Sequence, residues 1–141
     1  MAALLYPGPF VFLASIPLLH LLAPAASFVT VALILFSLVL AERLSKGQTI
    51  GIAGTTGHLL PILYIPLQLA VTLWAAHRAS RPDAGGWEIA SLVISVGATT
   101  GIFGVLAAHE MVHSRSRAKR ALGLAMLSGM TYRHFDIAHV Y

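Results

Sequence analysis

The sequence contains no cysteine, which excludes disulfides, thiolate zinc sites and cysteine-ligated iron–sulfur clusters within the chain. Any metal it holds must be taken by nitrogen or oxygen donors. Charge is scarce too: 10% of the 141 residues are charged and 57% are hydrophobic, too few charges to clothe a soluble core. They gather into short clusters between long apolar runs instead of spreading along helix faces, which points to a bilayer as the solvent. Acidic residues are fewest, five Asp and Glu against nine Lys and Arg, for a formal net charge of +4. The basic excess forms no stripe interleaved with aromatics, so no nucleic-acid partner is expected, and the preference of cytoplasmic loops for Lys and Arg accounts for it. No basic segment precedes the first apolar run, so the N-terminus reads as a retained membrane segment and not a cleaved signal peptide.

A helix needs about 20 apolar residues to span the hydrocarbon, and four runs approach that length. The first, about Pro9 to Pro24, is short and rich in proline; the second, about Ser27 to Ala41, ends at Glu42, Arg43 and Lys46. A Gly/Thr-rich connection from Gly47 to Gly57 leads to a third run, His58 to Ala76, which contains Pro61 and Pro66 and is closed by His77, Arg78 and Arg81. After a turn at Pro82, Asp83, Gly85 and Gly86, the fourth run extends from Trp87 to Ala108. Gly97 and Gly101 stand in GxxxG spacing there, a face expected to pack closely on another helix. Beyond the basic run Ser114 to Arg120, the stretch Ala121 to Met130 is too short to cross and reads as an interfacial or re-entrant helix. The expected fold is therefore an all-α integral membrane protein with about four transmembrane helices plus that short helix. With no repeat and no boundary in view, residues 1–141 form one membrane domain.

Orientation follows from counting Lys and Arg on each side of four spans. With the N-terminus inside, one side holds Arg43, Lys46, Arg115, Arg117, Lys119, Arg120 and Arg133, the other Arg78 and Arg81. The histidine-rich C-terminal end is thus expected at the cytoplasmic face of an inner (plasma) membrane.

The sharpest chemical feature is His109-Glu110-Met111-Val112-His113, beginning where the fourth run stops. On a continuing helix, residues four apart share a face, so both imidazoles can reach one metal ion. The plain alternative is a pair of amphipathic interface anchors, yet ionisable groups at membrane depth are costly enough to suggest function. HExxH is also the zinc-protease pattern, in which both histidines hold zinc and Glu110 is the general base on bound water. That reading needs a third ligand downstream, where the chain offers His134 and His139 and no obvious acidic ligand motif. These two are five apart, about 140° around a regular helix, so they need not share a metal. Their expected roles are separate: His139 a ligand in a second cluster, His134 either a hydrogen-bond partner to a ligand or a plain interfacial residue.

The segment HEMVHSRSRAKRALGLAMLSGMTYRHFDIAHVY resembles the membrane-bound non-haem di-iron alkane monooxygenases, with relatives among xylene monooxygenases and, more distantly, fatty acid desaturases. In that family a box of the form HE[LM]xH is followed some 25 residues later by a second box, whose leading His precedes Gly-His-His. His109 and His113 match the first box and His139 the leading His of the second; the paired histidines that would follow, and the later boxes, are absent from the chain. The resemblance therefore implies the N-terminal part of a longer fatty acid desaturase/alkane hydroxylase-like domain, with a two-iron centre left incomplete, since two irons need more ligands than His109, His113, His139 and His134 supply. It implies terminal hydroxylation of an alkane that enters through the bilayer, with dioxygen as oxidant and an acidic rubredoxin- or ferredoxin-type electron donor. Within it, His109, His113 and His139 are iron ligands and Glu110 is a supporting carboxylate that orients an imidazole. Desaturation in place of hydroxylation, zinc proteolysis and a non-catalytic membrane piece remain the competing readings.

The basic run Arg115, Arg117, Lys119 and Arg120 suits lipid headgroups and topology, or a rim that steers an acidic donor. His58 and His77 bracket the third run and suit interface anchoring. His20 lies inside the first run, where a buried imidazole wants a partner that the sequence does not identify.

Overall fold

The computed structural model describes residues 8–45 and 55–130. Every regular element among them is helical: α1 (Gly8–Leu22), α2 (Phe28–Ser45), α3 (Thr55–Ala79), α4 (Gly86–Thr99), a π-helical turn (Thr100–Gly104), α5 (Val105–Val112) and α6 (Arg117–Gly129). A helix satisfies every backbone polar group within its own segment, as a lipid environment would require. The prolines do not break them: Pro17 lies inside α1, and Pro61 and Pro66 lie inside α3. Two stretches, Leu59–Ala79 with 21 residues and Gly86–Val112 with 27, are long and apolar enough to cross a membrane, while Gly8–Leu22 is apolar but shorter.

Burial differs from that of a water-soluble bundle in two respects, polar side chains inside and large apolar ones outside. Ser27, Thr30, Gln68, Ser91, Ser95 and Thr99 are fully buried, whereas Leu22, Phe36, Leu63, Leu73 and Leu106 stand exposed. Lipid tails are as apolar as leucine, so helices in a membrane gain from small residues and hydrogen bonds inside and lose nothing by showing leucine outside. This arrangement is consistent with a membrane protein.

The chain forms two compact units, Met1–Ile52 with Val71–Thr99, and Ala53–Ala70 with Thr100–Tyr141. In the first, Leu13 and Ile16 of α1, Ile34 of α2 and Leu92 of α4 make a core with no exposure above 1%. Hydroxyls join the helices: Ser15 and Thr30 lie 2.7 Å apart, Ser27 donates to the Ile16 carbonyl at 3.1 Å, and Ser95 donates to the Ser27 carbonyl at 2.7 Å. Ser27 precedes α2, so the loop after α1 is tied to both neighbours.

The same unit supplies the partner of His20. His20, in the last turn of α1, is 7% exposed and Glu88, in the first turn of α4, 5%. Arg78, in the last turn of α3, donates from Nε to His20 Nε2 at 3.2 Å and pairs with Glu88 Oε1 at 2.9 Å. Glu88 Oε1 also lies 3.4 Å from His20 Nε2, and Trp74 meets the imidazole edge-on with centroids 5.3 Å apart. Each charge sits at the helix end whose dipole favours it, the carboxylate at an N-terminus and the cation at a C-terminus. His20 is therefore part of a buried knot tying three helix ends, built around Glu88, the one acidic residue in the fourth apolar run. His77 is exposed, as an interface anchor would be.

In the second unit, Tyr64, Ile65 and Gln68 of α3 are buried, as are Gly104, Ala107, Ala108, Met111 and Val112, and Gly123, Met126 and Leu127 of α6. The turn between α5 and α6 is short: Ser114 N–H donates to the Met111 carbonyl at 3.0 Å, and Ser116 N–H to Ser114 Oγ at 3.2 Å. α6 begins at Arg117, so Arg117, Lys119 and Arg120, read as part of a run ahead of the short helix, form its first turn, with Arg115 before it. Its 13 residues span about 20 Å, too little to cross the hydrocarbon.

The glycines that permit close approach are also not the GxxxG pair. Among the described residues, a Cβ on Gly97 or Gly101 would meet nothing within 4 Å, whereas one on Gly123 would lie 2.8 Å from Met111 Cβ, 3.0 Å from the Ala108 carbonyl oxygen and 3.2 Å from Val112 N. The tight contact is α6 on α5, directly behind the histidine motif.

Candidate metal site

The motif occupies the end of α5. Ala107, Ala108, Met111 and Val112 are buried while His109 is half-buried and Glu110 and His113 are exposed, so the packed side of α5 fixes which residues are left facing outward. The i, i+4 spacing does what it predicts: the His109 and His113 rings lie side by side with centroids 4.7 Å apart and planes inclined at 64°. His113 is the residue that ends the helix, with φ −79° and ψ −4°, so the second imidazole is still held at helical spacing. Rings whose centroids lie this close can serve one ion or adjacent ions, and imidazole is a donor for iron, zinc or copper.

Glu110 lies between the two histidines in sequence and faces a cleft of about 420 Å³ lined also by Met111, His113, Ser114, Arg115 and Lys119. The cleft thus puts one carboxylate, one hydroxyl and two cations beside His113, one imidazole of the pair. Among the described residues no three His, Asp or Glu come together as a metal-holding group. The histidine pair is hence a partial donor set: its chemistry fits a metal, and further ligands must come from elsewhere. His134 and His139, expected to supply them, lie outside the described residues, and for His58 the helix but not the side chain is described.

Two features of the surroundings carry no mark in the motif itself. The first is the π-turn at Thr100–Gly104, which interrupts what reads as one continuous apolar helix. The second is Gln68, fully buried in α3, which accepts from Tyr64 Oη at 2.7 Å and donates from Nε2 to Thr100 Oγ1 at 2.8 Å. A lone Gln in an apolar span was the available signal, since an amide at membrane depth must find partners.

No protein-family model matches the chain, and neither does any solved structure. Among curated proteins, it is similar to alkane 1-monooxygenase 1 of Pseudomonas aeruginosa, 30% identical over 83 residues that make up 58% of this chain and 22% of the relative. It is likewise similar to alkane 1-monooxygenase of Acinetobacter baylyi, 36% identical over 78 residues, 55% of this chain and 19% of the relative. The chain thus spans about a fifth of the length of the curated relatives it matches.

Proposed function

We propose that this chain is part of a membrane-bound, non-haem di-iron monooxygenase that hydroxylates the terminal carbon of alkanes. The observation that carries the reading is the pair of imidazoles, His109 and His113, held 4.7 Å apart at the end of a helix long enough to cross a membrane. The similarity to two alkane 1-monooxygenases supports it. His109 and His113 are iron ligands, joined by His139 and by His134. A complete two-iron site would need more donors than these four. Glu110, beside His113 on the cleft, orients a ligating imidazole through a hydrogen bond, which fixes the ring and raises its basicity.

Iron held there would supply dioxygen activation, with one oxygen atom entering the C–H bond and the other leaving as water. Two electrons come from a rubredoxin- or ferredoxin-type donor and two protons from solvent. The residues of this chain bind and orient. α5 presents the two rings, α6 blocks the opposite side of the helix, and the apolar outer faces admit a hydrocarbon from the bilayer. In this reading four helices cross the inner membrane and the histidines face the cytoplasm, where Arg115, Arg117, Lys119 and Arg120 form a rim complementary to an acidic donor.

The test is to express the chain together with the coding sequence that flanks it, purify it from membranes, and measure metal content and oxygen-dependent conversion of a medium-chain alkane. Two irons per protein and a terminal alcohol are the expected results, both lost in His109→Ala and His113→Ala. An alkene product would move the assignment to desaturation, and zinc with no oxygen uptake would overturn it in favour of hydrolysis at HExxH.

A further inference from the structure

The helix that carries the histidine pair changes its winding just before it reaches them. Residues Thr100–Gly104 form a π-turn, in which hydrogen bonds close to the fifth residue and not the fourth. Such turns have poorer hydrogen-bond geometry than an α-turn and persist where the surroundings hold them. Relative to an uninterrupted α-helix, one extra residue in a turn sets everything after it about 100° out of phase. The turn therefore governs which residues of α5 face outward.

Both ends of the turn are held by side chains. At its start, Thr100 Oγ1 accepts from Gln68 Nε2 at 2.8 Å, and Gln68 Oε1 is itself held by Tyr64 Oη at 2.7 Å. Gln68 is fully buried and Tyr64 is 3% exposed, so water does not compete for the Tyr64–Gln68 bond, and Thr100, half-buried, closes the network at the start of the turn. At its end, Gly104 is buried with the methyl groups of Met126 and Met130 pressed where its Cβ would be, 2.6 and 3.6 Å away. Just beyond, α5 lies against Gly123 through Ala108, Met111 and Val112. Exposure alternates accordingly, from fully buried Ala108 to half-buried His109 and exposed Glu110.

We propose that Gln68 and Thr100 are positioning residues for the candidate metal site: their hydrogen bond holds the π-turn, and the π-turn sets the rotational phase that turns His109 and His113 outward together. This deepens the reading of those histidines as ligands and rests on it. Without the bond the turn relaxes toward α-helical winding, and the imidazoles swing by about a quarter turn toward the packed side.

Thr100→Val removes the hydroxyl and keeps the shape; Thr100→Ser keeps the hydroxyl. Two readouts apply, both on the protein expressed with its flanking sequence. The first is titration with Co²⁺ followed by its ligand-field absorption. Val is expected to weaken Co²⁺ binding at least tenfold and alter the bands, while Ser matches the parent, a rescue that general loss of packing would not give.

The second readout needs no metal. The chain has no cysteine of its own, so single cysteines at Ala108→Cys and Glu110→Cys report the phase of α5 by maleimide labelling, with any cysteine of the flanking sequence replaced. In the parent, position 110 labels and position 108 does not; with Thr100→Val the contrast is expected to collapse or invert. An unchanged labelling pattern, or unchanged Co²⁺ binding and bands in Thr100→Val, overturns the proposal. If the labelling shifts but the parent binds no Co²⁺, the control of phase stands and the ligand reading of His109 and His113 falls.

Discussion

Gly123→Ala should loosen α6 from the helix that bears the histidine pair. The new methyl would sit 2.8 Å from Met111 Cβ, 3.0 Å from the Ala108 carbonyl oxygen and 3.2 Å from Val112 N, where carbon prefers about 3.5–4.0 Å. Two of these three neighbours are backbone atoms and cannot rotate away, so α6 must retreat by roughly 0.5–1 Å. Overpacking of this kind costs about 1–3 kcal/mol. The substitution also removes a glycine from a helix interior, which returns about 1 kcal/mol, so the net loss is small and a single measurement would be ambiguous. Gly97→Ala resolves it. Gly97 is also inside a helix, but a Cβ there meets none of the described residues within 4 Å. The propensity gain therefore cancels between the two variants, and their difference isolates the overpacking term, about 1–3 kcal/mol. Equilibrium unfolding of both variants in mixed detergent micelles reads that difference. If Gly123→Ala is as stable as Gly97→Ala, α6 does not press on α5 as closely as described, and the packing behind the histidines must be redrawn.

Three further outcomes follow from the first unit. Arg78→Met leaves the buried Glu88 carboxylate without its cation, a loss of about 3–5 kcal/mol; adding Glu88→Leu should recover most of it, which a double-mutant cycle in micelles would show. Ser95→Ala removes the hydroxyl that donates to the Ser27 carbonyl at 2.7 Å and should cost about 0.6 kcal/mol, at most about 1.7, in the same unfolding assay. Asp83, in the loop between α3 and α4, has its carboxyl held below the usual range by its own backbone N–H and then by Arg81 and Arg78. A lowered folded-state value means this contribution is complete above the unfolded-state value and is lost as pH falls through the folded one. Protection factors in the 80–85 loop, taken relative to the intrinsic exchange rate at each pH, should accordingly fall on acidification, and Asp83→Asn should abolish that fall.

The periodicity of the histidines was legible because it is local: residues four apart meet on any helix, whatever the rest of the chain does, and the rings are adjacent. The apolar runs were legible for the same reason: the first three match α1 to α3 with ends displaced by a few residues, and the fourth covers α4, the π-turn and the start of α5. What escaped is not local. His20 finds Arg78 and Glu88 58 and 68 residues away, and the signal on offer was the presence of a single carboxylate at the head of an apolar run. The GxxxG spacing at Gly97 and Gly101 marked a smooth helix face, but spacing cannot say whether a neighbour approaches it, and none of the described residues does. Gly104 and Gly123, which do meet neighbours, stand in no recognisable pattern.

The least expected helix is the one nearest the site. α6 opens with Arg117, Lys119 and Arg120, and cations at a helix N-terminus oppose its dipole. Ser116, placed to cap it, makes no side-chain capping bond. By local rules the helix should begin later, at Ala121, where the basic run ends. It begins at Arg117 because packing outweighs those terms: Gly123, Met126 and Leu127 are buried, and Arg120 N–H closes the first turn on the Ser116 carbonyl at 3.0 Å. Burying a Met and a Leu yields several kcal/mol, against a dipole penalty of about 0.3–1 kcal/mol per charge. The same balance explains the π-turn, whose weaker hydrogen bonds are tolerated because Gln68 and Thr100 are satisfied by each other. Places where a sequence breaks its local rules are where tertiary structure imposes a requirement. Here both breaks adjoin α5, and both constrain the orientation of His109 and His113.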